Sequence, residues 1–171
     1  MDKENARMIM EIAEGLAKIH LPRWNELPDL EIYMDQVLSL ISRYFADYPG
    51  FDSKGLTASM VNNYVKLGII PPPMKKKYHR MHLAYLIIIC VLKTVLPISL
   101  VSGMISDKTE SGCSYEELYN MFCDLFESSV SSAAAPFSQS SDPVSSTDAA
   151  FRAALNAHAE QTLAMGLMRA E

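Results

Sequence analysis

An all-α fold is predicted by three observations. Apolar residues recur at helical spacing in separate stretches of the chain, helix-capping residues stand where several of those stretches begin, and one segment, His82 to Leu96, is apolar nearly all round, as the central helix of a helical core would be. At 171 residues the chain suits one ordinary domain with an appended arm and is long enough to bury a real core. With 49% hydrophobic and 20% charged residues it has the composition of a globular protein, not of a disordered one.

The elements follow in order. Ile9, Ile12, Ala13, Leu16 and Ile19 line one face of a first amphipathic helix that ends before Pro22. LPRWNELPDL, with prolines at 22 and 28, is expected to be an extended connector, and Trp24, the sole tryptophan, a lid over the core. Asp29 can cap a second helix whose inward face is Tyr33, Val37, Leu40, Ile41, Tyr44 and Phe45. DYPGFDSKG, residues 47 to 55, is turn material.

Thr57 is placed as the N-cap of a short third helix that stops at Gly68, a residue able to take the left-handed conformation a helix end wants. Within it Val61, Tyr64 and Val65 face inward, and Ser59, Asn62, Asn63 and Lys66 fall on the other side. Ile69 and Ile70 turn to the core, Pro71 to Pro73 hold the chain extended, and KKKYHR follows as an exposed basic arm. Pro97 ends the central apolar helix, and Ser99 opens another short one through Ile105. Ser114 with Glu117 makes a capping box for a helix with Leu118, Met121, Phe122, Leu125 and Phe126 inward. Residues 128 to 147 read as a flexible linker of small polar residues. After Asp148 comes a helix-prone tail with Phe151, Leu155, Thr162 and Leu163 in a thin stripe, suited to its own core or to a second copy.

The expected organisation is therefore an N-terminal helix and connector (1–28), a central domain (29–106), an additional core helix (107–127), the linker (128–147) and a C-terminal helix (148–171). Cys90, Cys113 and Cys123 are odd in number and lack a CxxC spacing, and the first seventeen residues are charged at six positions, against a secretory signal. A cytoplasmic location is expected. Leu83 to Ile105 is interrupted by Lys93 and Pro97 and reads as core, not as a membrane span.

Charge divides the chain more sharply than its net −5 suggests. Residues 1–52 carry ten acids against five bases and residues 107–171 ten against three, whereas residues 53–106 carry seven bases and no acid. That asymmetry points to an anionic partner for the middle segment.

A short capped helix, preceded by a helix and a turn and followed by a basic arm, is the arrangement of a winged helix-turn-helix. TASMVNNYVKLGII resembles the recognition-helix stretch of MerR-type regulators, with Thr57, Tyr64, Gly68, Ile69, Ile70 and Pro71 matching, and the similarity resumes at Tyr78, Leu83, Ala84 and Leu86 and at PISLVSGMI, residues 97–105. LPRWNELPDLEIYMDQV together with NNYVKLGIIPPPMKKKY resembles the bacterial family catalogued as domain of unknown function 1836, described as DNA-binding regulators. The resemblance implies a MerR-like winged helix-turn-helix core with additional N- and C-terminal helices. Asn62 and Asn63 depart from the MerR pattern, which has an arginine and an aromatic there, and the wing lacks its glycine.

The expected function is sequence-specific transcriptional regulation on double-stranded DNA, by a non-enzymatic homodimer that needs no cofactor and no membrane. Asparagine pairs bidentately with adenine in the major groove, which makes Ser59, Asn62 and Asn63 candidate base readers. Thr57, Lys66, Lys75, Lys76, Lys77, Tyr78 and Arg80 are candidate phosphate contacts, with Tyr78 serving either the core or a phosphate. His79 and His82 share a helix face but have no thiolate or carboxylate beside them in sequence, so no metal is expected, and no phosphate loop, GxSxG or HExxH occurs. The alternative is a protein-interaction module on the same fold that has lost DNA binding.

Overall fold

The computed structural model of the protein describes residues 3–46, 48, 55–138 and 145–169. Seven α-helices occur among them: α1 (Lys3–Ala17), α2 (Met34–Tyr44), α3 (Ala58–Lys66), α4 (Arg80–Leu92), α5 (Ile98–Glu110), α6 (Tyr115–Ser138) and α7 (Ser146–Leu167). The described residues contain no β-sheet, only two isolated antiparallel bridges, Ile32 with Tyr78 and Met74 with Lys77. The fold is all-α. No helix among the described residues is long and apolar enough to cross a membrane.

The chain divides into two compact units, residues 21–124 and residues 1–20 with 125–171. The first is built around α4, whose residues from His82 to Cys90 are all buried, as its all-round apolar composition requires. Helices α2 and α5 pack on α4, and α3 packs on α2. Val37 and Ile41 of α2, Val61 and Tyr64 of α3, and Val101 and Ile105 of α5 supply the inward positions. The start of α6 closes this unit: fully buried Tyr119 donates its hydroxyl proton to the carbonyl of Pro22 at 2.7 Å, and Asn120 Oδ1 accepts the Trp24 N–H at 3.0 Å. The Ser114–Glu117 capping box forms as expected, with the carboxylate accepting the Ser114 N–H at 2.9 Å and the hydroxyl accepting the Glu117 N–H at 3.2 Å. The Ser114 N–H, and its hydroxyl at 2.8 Å, both donate to the Glu117 carboxylate and hold it below its usual pKa.

Four sequence expectations change. The connector at residues 21–30 is not simply extended, because Trp24–Glu26 forms a 3-10 turn closed by Glu26, whose carboxylate accepts the Arg23 N–H at 2.6 Å. Helix α2 starts at Met34, not next to Asp29, and its N-cap is Tyr33, whose N–H is taken by Gln36 Oε1 at 2.9 Å. The inward face of α6 includes Tyr119 and Cys123, while Leu125 is exposed. The linker expected at 128–147 is helical through Ser138, since Ala133 to Ala135 are strong helix formers and Ala134 is buried, and Pro136 sits close enough to the end to be accommodated. Residues 139–144 lie outside the described residues, as does most of the turn expected at 47–55.

The second unit holds α1, the rest of α6 and α7, with α1 packed on α7. His20 Nδ1 lies 3.0 Å from the Glu127 carboxylate within it. Of the stripe predicted for α1, Ala13 is buried, Ile9, Leu16 and Ile19 are half-buried, and Ile12 is exposed.

Candidate nucleic-acid interface

Helix α3 is bounded as its sequence dictates. Thr57 is its N-cap, with the hydroxyl accepting the Met60 N–H at 3.3 Å, and Gly68 follows its end at φ +72°, a conformation that costs glycine nothing. Between these caps Ser59, Asn62, Asn63 and Lys66 recur at i, i+3, i+4 and i+7 and are all exposed, so they share one face about 100° wide. The opposite face carries buried Val61 and Tyr64. Burial raises the Tyr64 pKa, as befits a core residue.

After α3, Ile69 and Ile70 are buried and Pro71 to Pro73 lead to a four-residue turn, Met74 to Lys77, in which the Lys77 N–H donates to the Met74 carbonyl at 2.9 Å. Its two central residues, Lys75 and Lys76, both have positive φ, 49° and 64°. That backbone is what a type I′ turn demands, and the residues that adopt it readily are asparagine, aspartate and glycine. Lysine in the left-handed region costs roughly 1–2 kcal/mol per residue. Lys75 and Lys76 are exposed, and neither makes an ion pair or hydrogen bond among the described residues.

Three of the other candidate phosphate contacts, Tyr78, Lys77 and Arg80, have structural occupations, whereas Lys66 is exposed on α3. Tyr78 is 3% exposed and exchanges two backbone hydrogen bonds with Ile32, at 2.8 and 3.0 Å, so the structure packs it in the core. Lys77 Nζ is 2.6 Å from the Glu31 carboxylate. This pair holds the Glu31 carboxyl below its usual range and raises the lysine, each chiefly through the shared hydrogen bond. Arg80 donates through Nε to the Leu27 carbonyl at 3.1 Å, lies 3.7 Å from Asp29 through Nη2, and stacks its guanidinium 5.7 Å from the Trp24 ring centre. These contacts join the segment Leu27–Ile32 to the root of the basic turn. Sequence reasoning missed Asp29, Glu31 and Ile32 as its anchors, because the pair Glu31 and Lys77 is 46 residues apart and nothing local marks it.

His82 stands beneath the same root. It is 1% exposed, its Nδ1 accepts the His79 N–H at 2.9 Å, and its ring meets Tyr78 edge-on at 5.3 Å and stacks near His79 at 5.9 Å. Nε2 is buried beside the carbonyls of Pro71 and Pro72 without a well-formed hydrogen bond. Burial lowers the His82 pKa. Among the described residues no group of histidine, cysteine and carboxylate side chains could hold a metal ion. A groove of about 330 Å³ lies beside the anchors, walled by Trp24, Leu30, Met81 and Tyr115.

The first unit is thus an all-helical domain that presents a polar helix face and a lysine-tipped turn. The chain belongs to the family described as "Domain of unknown function (DUF1836)", whose model matches residues 22–122. The matched range is nearly the whole of the unit spanning residues 21–124. No curated protein and no solved structure matches the chain.

Proposed function

We propose that this protein binds double-stranded DNA as a transcriptional regulator, with α3 as the reading helix and the Met74–Lys77 turn as a short wing, an arrangement akin to the MerR winged helix-turn-helix. The connection from α2 to α3, residues 45–57, is longer than the three- to four-residue turn of a compact helix-turn-helix, so the reading concerns the roles of the elements and not a strict copy of that motif. The observation that carries it is the turn itself. Two lysines that make no ion pair among the described residues occupy the positions where asparagine and glycine would be more stable, and strain retained at an exposed charged tip fits a contact that needs the charge.

Lys75, Lys76 and Lys66 neutralise phosphates in this reading, and Ser59, Asn62 and Asn63 face base edges. Lys77 and Arg80 position the turn, and Thr57 caps the helix. The protein has no catalytic role here. Selection from random duplex DNA, followed by a salt titration of the selected site, tests the reading. Enrichment of a sequence, with affinity that falls steeply with salt, is expected; absence of enrichment and of salt dependence would refute it. The second reading, a protein-interaction module, is favoured by the acidic partners of Lys77 and Arg80, which reduce the free base. It predicts no enrichment from the same selection.

A further inference from the structure

Four helix starts in the first unit close in the same way. The side chain of the third helical residue accepts the N–H of the capping residue: Glu26 from Arg23 at 2.6 Å, Gln36 from Tyr33 at 2.9 Å, Glu117 from Ser114 at 2.9 Å and, at the start of α4, His82 from His79 at 2.9 Å. Of these four acceptors only the last is an imidazole. A glutamine keeps its acceptor at every pH and a carboxylate loses it near pH of about 4, whereas an imidazole loses it on protonation between about pH 5 and 8.

The bond also fixes which proton the ring carries. Nδ1 accepts, so neutral His82 holds its proton on Nε2, which is buried beside the carbonyls of Pro71 and Pro72. The ring therefore touches both stems of the basic turn. Pro71 and Pro72 belong to the segment entering it, and Tyr78, edge-on at 5.3 Å, and His79, at 5.9 Å, to the segment leaving it. A second proton has only Nδ1 to go to, where it sets donor against donor across the contact with the His79 N–H.

Burial weighs most against a charge on this ring, and a charge on His79 adds to it; backbone groups of His79, Pro71 and Pro72 offset part of the cost. Burial raises the Tyr78 pKa, so the other titratable group against the ring stays neutral. Among the described residues no carboxylate, lysine or arginine of the helices packed on α4 stabilises the charge. The turn is the part able to yield. Helix α4 is held by the burial of residues 82–90, whereas Lys75 and Lys76 hold positive φ, a strain that opening relieves.

We infer that His82 is a pH-sensitive clasp: a proton on its Nδ1 opens the Met74–Lys77 turn at its root in mildly acidic solution while the helical core stays folded. The inference does not rest on DNA binding, and its test uses no DNA. The closed turn keeps His82 neutral and the open one lets it titrate near its ordinary pKa of about 6.5, so opening is rare above that pH and grows as pH falls. From about pH 7.5 to about pH 5.5 the ratio of open to closed rises about 10-fold. Glu31, held below the usual carboxylate range by Lys77, stays ionised throughout.

Amide hydrogen exchange of the full chain reads the opening directly. The amides of Lys77, Tyr78 and His79 donate to Met74, Ile32 and His82, and their protection is expected to fall together by about 10-fold over that pH range. The amides of Leu86 and Ile87 are expected to be protected more strongly at every pH. His82→Gln supplies the acceptor that Gln36 supplies to Tyr33 and is expected to abolish the fall, whereas His79→Gln is expected to keep it. Turn amides as protected as those of Leu86 and Ile87 overturn the inference, because the turn would then open only with the core. A fall confined to His79, one that persists in His82→Gln, or one that vanishes in His79→Gln overturns it as well. Imidazole nitrogen shifts of the wild-type chain give a check that needs no variant: a proton on Nε2 is expected at neutral pH, and a proton on Nδ1 would remove the clasp.

Discussion

Replacing Lys75→Asn together with Lys76→Gly is expected to move stability and DNA affinity in opposite directions. Both lysines hold positive φ, at 49° and 64°, and Asn-Gly is the pair that a type I′ turn accepts with least strain. Relief of a left-handed conformation that costs roughly 1–2 kcal/mol per L-residue gives a gain of about 1–2 kcal/mol for the pair, after allowing for the greater freedom glycine brings to the unfolded chain. For a unit of this size such a gain raises Tm by roughly 4–8 °C per kcal/mol. The same change removes two of the three lysines, Lys66, Lys75 and Lys76, proposed to meet phosphate. Each neutralised phosphate contributes about 0.9 to the slope of log affinity against log salt, so the slope per protomer is expected to fall from about −2.7 to about −0.9. Between 50 and 200 mM salt that loss alone corresponds to about 12-fold in affinity. Differential scanning fluorimetry and fluorescence anisotropy with a selected duplex read the two effects. A variant that is more stable and binds with the wild-type slope would refute the assignment of the tip to phosphate; one that is less stable would refute the reading of strain.

Other expectations follow from single contacts. Asn62→Ala is expected to relax base preference at one step of the site with the salt slope unchanged, which repeated selection from random DNA would reveal. Thr57→Ala removes the hydroxyl that accepts the Met60 N–H and is expected to cost about 1 kcal/mol, with faster amide exchange at Met60. Tyr119→Phe leaves the Pro22 carbonyl without its 2.7 Å donor and is expected to cost about 1–2 kcal/mol in urea unfolding followed by Trp24 emission, the two rings being 6.5 Å apart. His82 is harder to protonate in the fold than in the unfolded chain, so the folded state binds fewer protons there. Stability is full above pH of about 6.5 and is lost as pH falls below it toward the depressed folded pKa, and His82→Gln is expected to flatten that part of the stability profile.

Local features were legible in the sequence because local physics determines them. Thr57, Gly68 and the Ser114–Glu117 box each act within one helical turn, and the apolar run of α4 could only be a core helix once Lys93 and Pro97 had interrupted it. What was not legible depends on distant partners. Tyr119 is buried because Pro22, 97 residues earlier, takes its hydroxyl proton, and Cys123 lies one turn further along that same face. Residues 128–138 have the small polar composition of a linker, but helical packing at Ala134 outweighs a composition that is merely neutral for helix. The stripe on α7 was visible, and what the sequence left open was whether it folded onto its own core. Phe151, Leu155 and Leu163 are exposed.

The electrostatic asymmetry shows where one-dimensional reading fails most directly. Residues 53–106 contain no acid, yet Glu31 and Asp29 reach two of their bases from outside the segment. At contact distance even a solvent-exposed carboxylate removes a lysine from the set that can neutralise phosphate without a cost, because binding DNA would first require that pair to open. The count of bases therefore overstates the proposed interface, and the geometry divides them: Lys77 and Arg80 fix the root of the turn, and Lys75 and Lys76 stand at its tip. The two roles predict different signatures. Loss of a tip lysine changes the salt slope directly, whereas Glu31→Gln leaves every cation in place and frees Lys77. It is expected to preserve or steepen the slope while lowering the order of the turn, which proton relaxation of residues 74–77 would report. A slope that flattens in Glu31→Gln would refute this division, because it would mean that the pair with Glu31 holds a lysine of the turn in its phosphate contact.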